Sequence, residues 1–192
     1  MKSFEEVYEA VKNELSESRF IHSEGVMQRC VELAKLNGID VEKAKLVGIA
    51  HDIAKEIPKE DRIRIAVENG IELDEFEKEN TSLIHAKLGA KICKDRFGFD
   101  DDMCRAIEAH TTGKKNMNAL DKILYLSDCC EPSRNFEGAH DIYEVGKLSL
   151  DEGYLLALIR KIEYTLNSKS KIHKDSIDAY NDCLDKKKNG AF

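Results

Sequence analysis

The chain has 192 residues, 42% of them hydrophobic and 35% charged, with a formal net charge of −7. That length and apolar content suit one domain with a real core. The negative balance argues against broad binding to nucleic acid or to an anionic membrane surface, while a small anionic substrate stays open through a local basic pocket or a metal.

Proline occurs twice and tryptophan not at all. No segment alternates β-branched and aromatic residues with period two, so an all-α fold is expected. The charges are spread along the chain and read as solvated helix faces. Residues 1–15 are amphipathic and acidic without a signal-peptide core, and no stretch approaches the roughly 20 apolar residues of a membrane span. A cytoplasmic protein is expected. The six cysteines (Cys30, Cys93, Cys104, Cys129, Cys130 and Cys183) form no Cys-x-x-Cys pair. They read as small buried hydrophobes rather than metal or redox ligands.

In chain order, Phe4, Val7, Tyr8, Val11 and Leu15 predict a helix over 3–16. Ser16 and Ser18 can end it and cap the next, which carries His22 near its start and stops at Gly38. Asp40 caps a helix over 41–55 that contains His51-Asp52. Pro58 begins another that ends at Gly70, and the acidic stretch 71–80 reads as a loop with a short turn. Thr81 or Ser82 caps a helix with His85 in its first turn. Acidic residues 100–102 open a helix that ends at His110. Asn118 and Asp121 form a capping-box pattern before the helix that carries Asp128 and ends at Pro132. After a loop and a short helix comes a long one, with Leu155, Leu158, Ile159, Ile162 and Leu166 expected inward. The last helix starts at Asp175 or Ser176. About ten helices in a single domain over 1–192 are expected, with a core over about 18–130 and helices over 140–188 packed on it.

The polar residues that look buried are His22, His51, Asp52, His85, His110 and Asp128. Burying a histidine beside an ionised aspartate is costly unless the charges are paired or bind a metal. A satisfied core ion pair is one reading of His51-Asp52. Four such histidines with two aspartates favour a metal site. Imidazole and carboxylate suit Fe, Mn, Zn or Co, and the absence of cysteine from the set argues against a closed structural zinc site.

The ordered set, within RFIHSEGV, AHDIAKE, IHAKLGA, AHTTGKKNM and LSDCCEPSRNFEG, resembles the HD superfamily of metal-dependent phosphohydrolases. Within it the segments are similar to the YqeK-type symmetrical bis(5'-nucleosyl)-tetraphosphatases, from Arg19 to about Tyr180. The resemblance implies an HD-domain helical bundle that cleaves diadenosine tetraphosphate to two ADP, with a metal-bound hydroxide attacking an interior phosphorus. It implies His22, His51, Asp52 and Asp128 as ligands of a divalent metal, iron first, with Mn, Co or Zn as other fitting ions. His85 and His110 would donate to phosphate oxygens and the departing group, or hold a second metal. The implied catalytic set is Asp52, His85, His110 and Lys55.

Phosphoryl transfer relies on positioning and electrostatics. Arg19 lies three residues before His22, Lys55 three after Asp52, and Arg134 six after Asp128, so each can face the site. Thr111 joins the substrate-contacting set, and His173, Ser176 and Tyr180 would hold the nucleoside end in a pocket closed by the C-terminal helices. His140 reads as surface. The partners implied are a dinucleoside polyphosphate and its ADP product, with a homodimer left open. The family usually has Ala-Asp where this chain has Ser127-Asp128, followed by Cys129-Cys130. Rival readings are another HD phosphohydrolase (a nucleotidase or cyclic-nucleotide phosphodiesterase), a nucleotide-binding sensor without turnover, and a structural helical protein.

Overall fold

Short polar caps divide the chain into eleven α-helices, and no strand occurs among the described residues, 1–134 and 138–190 of this computed structural model. Ser3 opens α1 (Phe4–Glu14) with a reciprocal capping box to Glu6. α2 (Glu17–Asn37) ends on Gly38, whose φ of 65° is left-handed. Asp40 accepts from the backbone N–H groups of Glu42 and Lys43 to start α3 (Val41–Ala50). α4 (Lys59–Glu68) follows Pro58, and Asp74 caps the short α5 (Glu75–Glu79). α6 (Ile84–Ile92) runs on into a π-helical turn over Cys93–Phe97. Asp100 caps α7 (Asp101–Ala109), and the Asn118–Asp121 box opens α8 (Ala119–Cys130). α9 (Ala139–Leu148), α10 (Leu150–Asn167) and α11 (Lys174–Lys188) complete the bundle.

Five local expectations are corrected. The helix expected over 41–55 stops at Ala50, and His51-Asp52 sits in the turn that follows. That turn is held by three-residue backbone bonds, Ile53 N–H to Ala50 O at 3.1 Å and Lys55 N–H to Asp52 O at 2.8 Å. The Gly48 carbonyl, which the Asp52 N–H would need in a continued helix, is taken by the His51 ring, and the Lys55 and Ile57 carbonyls beyond the turn are held by the Arg62 guanidinium. Neither Thr81 nor Ser82 caps α6 with its side chain, because the cap position is Leu83. The acidic 71–80 stretch holds α5 as well as loop. α11 is capped by His173, whose Nδ1 accepts from the Asp175 N–H, and not by Asp175 or Ser176. Leu166 is 58% exposed, because the buried residues of α10 end at Leu158 and its last turns outrun their cover. Within the expected loop after Pro132, Asn135, Phe136 and Glu137 lie outside the described residues.

α8 packs on α2, α3, α7, α9 and α10. It buries Leu120, Ile123, Leu124, Tyr125, Leu126, Cys129 and Cys130, so it is apolar around most of its circumference. Such a helix belongs at the centre of a bundle. The main core runs from Val7 to Cys183, and a smaller one joins Ala54, Ala66, Ile84 and Leu88 beneath α4 and α6. All six cysteines are free and buried.

α2 and α3 cross closely at Gly48, where an added Cβ would meet the Met27 Cα at 2.7 Å. Gly48→Ala gains about 1 kcal/mol of helix propensity. It costs roughly 1–3 kcal/mol in overpacking, with rigid backbone as the obstacle. The expected outcome is a lower urea midpoint for Gly48→Ala, and an unchanged or higher one would contradict the close crossing.

Candidate metal centre

Five segments converge on one point. α2 brings Arg19 and His22 on one face, three residues apart. His51 closes α3, and Asp52 and Lys55 follow in the turn. His85 comes from the first turn of α6, His110 from the end of α7, and Asp128 from the last turn of α8. The four imidazoles and Asp52 are all buried.

One hydrogen bond fixes each ring. His51 Nδ1 donates to Gly48 O at 2.8 Å, His85 Nδ1 to Ser82 O at 2.5 Å and His110 Nδ1 to Ile107 O at 2.6 Å, each three residues back. His22 Nδ1 donates to Glu131 Oε1 at 3.1 Å. With the proton on Nδ1, every Nε2 presents a lone pair to the centre. Asp52 lies between them. Its Oδ2 is 3.8 Å from His22 Nε2 and 3.6 Å from His51 Nε2, while its Oδ1 is 3.1 Å from His85 Nε2 and 3.5 Å from His110 Nε2. Asp128 Oδ1 is 3.3 Å from His22 Nε2.

These atoms are acceptors facing acceptors. His22 Nε2, His51 Nε2 and Asp52 Oδ1 are buried with no hydrogen-bond partner. His85 Nε2 and His110 Nε2 are 3.2 Å apart. Buried polar atoms left in this state are costly, and a cation among them removes the cost. Donor atoms of His22, His51 and Asp52 lie within 4.8 Å of one another, as do those of Asp52, His85 and His110. The donor set therefore fits a divalent metal, with Asp52 common to both groups.

Burial pushes His51 down to about 3 and His85 down to about 4, so both rings are neutral at pH 7. Burial acts to raise Asp52, yet its carboxyl lies well below the usual carboxylate range. Asp128 follows the same pattern, with burial outweighed by the Lys161 ammonium.

Cations surround the acceptors. Arg19 donates to Asp52 Oδ2 at 3.0 Å, and Lys55 donates to His85 Nε2 at 3.1 Å. Arg134 donates to Asp128 Oδ1 at 2.9 Å and to the Asp128 carbonyl at 3.1 Å. Lys161, which the sequence reading missed, lies 3.5 Å from Asp128 Oδ2 and donates to His110 O at 3.1 Å. Its one signal was a cation beside the apolar run of α10. Glu131 was also missed, although it orients His22 and is itself held by the Ser133 N–H and hydroxyl. The Cys129 thiol, pushed up by burial, lines the space beside Asp128 and is not a thiolate ligand.

Two clefts lie beside this centre, the second of them lined by Asp128. One, of about 410 Å³, passes Ser82, Thr111, Thr112, His173 and Ser176. The other, of about 510 Å³, passes Asp128, Arg134, Arg160 and Asn167. In the first, His173 Nε2 pairs with Asp74 Oδ2 at 3.1 Å, and the Ser176 hydroxyl donates to Thr112 O at 2.8 Å. Tyr180 packs, half-buried, against the main core. His140 is exposed.

The lowered histidines set a pH dependence. Unfolded imidazole takes a proton near pH 6.5, whereas folded His51 and His85 refuse it until about 3 and 4. Between those values the unfolded state binds more protons, so stability falls as pH falls. The depressed Asp52 and Asp128 act with the same sign at lower pH. The urea midpoint of metal-free protein is expected to drop from pH 7 to pH 4.5, with a shallower drop in His85→Asn. A flat midpoint across that window would contradict the buried neutral rings.

Residues 19–133 match the family model described as HD domain. The chain is 35% identical over 91% of its length to a symmetrical bis(5'-nucleosyl)-tetraphosphatase of Halalkalibacterium halodurans, 93% of which is covered. It is 32% identical to a protein of the same name from Bacillus subtilis, over 92% of this chain and 95% of the other. A crystal structure from Clostridium acetobutylicum, described as a "predicted HD superfamily hydrolase involved in NAD metabolism", superposes with a TM-score of 0.92 at 34% identity. That likeness covers 97% of this chain and 99% of the other. With its His-Asp doublet at the focus of converging imidazoles, the chain belongs to the HD-domain family, in the group of the symmetrical bis(5'-nucleosyl)-tetraphosphatases.

Proposed function

We propose that this chain hydrolyses diadenosine tetraphosphate symmetrically, adding one water across the central bridge to release two ADP. The observation that carries the reading is the buried cluster of acceptor-only imidazole and carboxylate atoms, ringed by Arg19, Lys55, Arg134 and Lys161. Two full-length relatives bear the name of that activity.

His22, His51, Asp52 and Asp128 are assigned to a divalent ion, iron first, with Mn, Co or Zn also suited to the donors. Such an ion lowers the pKa of a water and polarises a phosphoryl oxygen when bound. The chain does the rest. Glu131 keeps the His22 proton on Nδ1, so Nε2 stays free. Lys55 Nζ, 3.6 Å from Asp52 Oδ1, faces the same point and is placed to donate to a phosphate oxygen. Arg19 and Arg134 offset carboxylate charge and offer remaining guanidinium N–H groups to phosphate. Thr111, Ser176 and His173 line the approach for one nucleoside. The helices over 140–188 close that pocket over the core of about 18–130, within one domain and in the cytoplasm.

His85 and His110 have two jobs open, donation to phosphate and departing group or ligation of a second ion with Asp52. Their Nδ1 bonds favour the second, because both Nε2 atoms are then acceptors. Elemental analysis decides between them. Two ions per chain, falling to one in His85→Asn, supports ligation, and one ion in both supports donation.

Asp52→Ala is expected to lose bound metal and to cut kcat/KM by at least about a thousandfold, the scale of lost electrostatic stabilisation. Full activity in metal-free Asp52→Ala protein would overturn the assignment. Product analysis on the wild type separates the neighbouring activities. Two ADP support the proposal, AMP plus ATP or free phosphate points to another phosphohydrolase, and tight binding without product points to a sensor.

A further inference from the structure

The geometry points to a second nucleoside diphosphate subsite in the cleft beside α8, α9 and α10, with Lys161 at the crossing of the two subsites. This rests on the tetraphosphatase reading and deepens it. The clefts of about 410 and 510 Å³ each fall in the size range of small-molecule sites, roughly 300–1,000 Å³. Among their lining residues only Lys161 and Tyr164 are shared. The two therefore meet along one ridge of α10 and diverge from it.

The two clefts lie at different edges of the centre. The first is lined by Ser82, whose carbonyl holds the His85 ring, and by Thr111, which follows His110. The second arrives at Asp128 itself, the His22 side. A substrate cut at its middle has the same arm on both sides of the scissile bridge. With the bridge at the centre, one nucleoside diphosphate points to each edge. One cleft alone leaves the departing half without a binding surface.

The charges fit two arms. Lys161 Nζ is held between the edges, by His110 O at 3.1 Å on one and Asp128 Oδ2 at 3.5 Å on the other. Its position lets one ammonium serve phosphates of both halves. Arg134 and Arg160 add cations to the second cleft only, where a diphosphate would lie. Tyr164 is 75% exposed on the shared ridge, so it contributes little to the core and offers a ring face for stacking.

The test reads binding without turnover. Ferrous-loaded wild type is titrated with ADP by equilibrium dialysis, alongside Asn167→Trp, which fills the second cleft, and Ser170→Trp, which fills the first. Both replaced residues are exposed, so the variants keep the core intact. The wild type is expected to bind two ADP per chain and each variant one. Each variant is also expected to raise KM for diadenosine tetraphosphate about tenfold or more. Lys161→Gln is expected to weaken both ADP sites together. A single ADP in the wild type, or an Asn167→Trp protein with unaltered stoichiometry and KM, overturns the second subsite. Failure of the tetraphosphatase reading shows separately, as a wild type that binds two ADP but forms none from the tetraphosphate.

Discussion

The Nδ1 bonds of four histidines determine what this protein can hold. Three run to a carbonyl three residues back and one to a carboxylate. Each commits the ring's only proton and turns the other nitrogen, as a bare lone pair, toward Asp52. The result is a buried knot of negative and electron-rich atoms that the fold alone does not satisfy. Arg19, Lys55 and Lys161 offset part of the charge from the rim, and the interior calls for a cation.

The bundle makes this arrangement affordable by building it from helix ends. The last carbonyls of a helix lack intrahelical partners. His51 and His110 sit at the caps of α3 and α7 and supply a donor to such carbonyls with their own rings. Asp128 needs no cap, because α8 runs through the middle of the molecule and carries it there. The same helix is packed by Leu124 and Tyr125 on the neighbouring turn. Core packing and the placement of Asp128 are thus properties of one element.

Much of this was legible in the sequence. Helix starts followed from Asp40, from the acidic residues 100–102 and from Asn118, because a short polar side chain acting on the backbone beside it is a local event. The buried polar cluster followed from polar groups stranded in apolar runs. The extent of α3 did not, because the His51 ring takes the Gly48 carbonyl and Arg62, a residue of another helix, holds the turn that follows. The role of His173 as a cap was equally hidden, since histidine is not a usual N-cap and its ring is held by Asp74, 99 residues away. Lys161 and Glu131 escaped for a related reason. Each acts through a neighbour distant in sequence, and a lone cation or carboxylate carries no pattern of its own.

Arg62 has a wider bearing on the site. Its guanidinium gathers the Lys55 and Ile57 carbonyls from the turn after Asp52, and the Thr81 and Ser82 carbonyls from the turn before His85. Ser82 O is also the acceptor for the His85 ring. One planar side chain thereby rivets together the two turns that carry the opposite walls of the centre. A substitution that displaces Arg62 therefore loosens the Asp52 turn and the His85 turn together. The pocket behaves mechanically as a single part, so its tolerance for change is set some way from any atom that touches substrate.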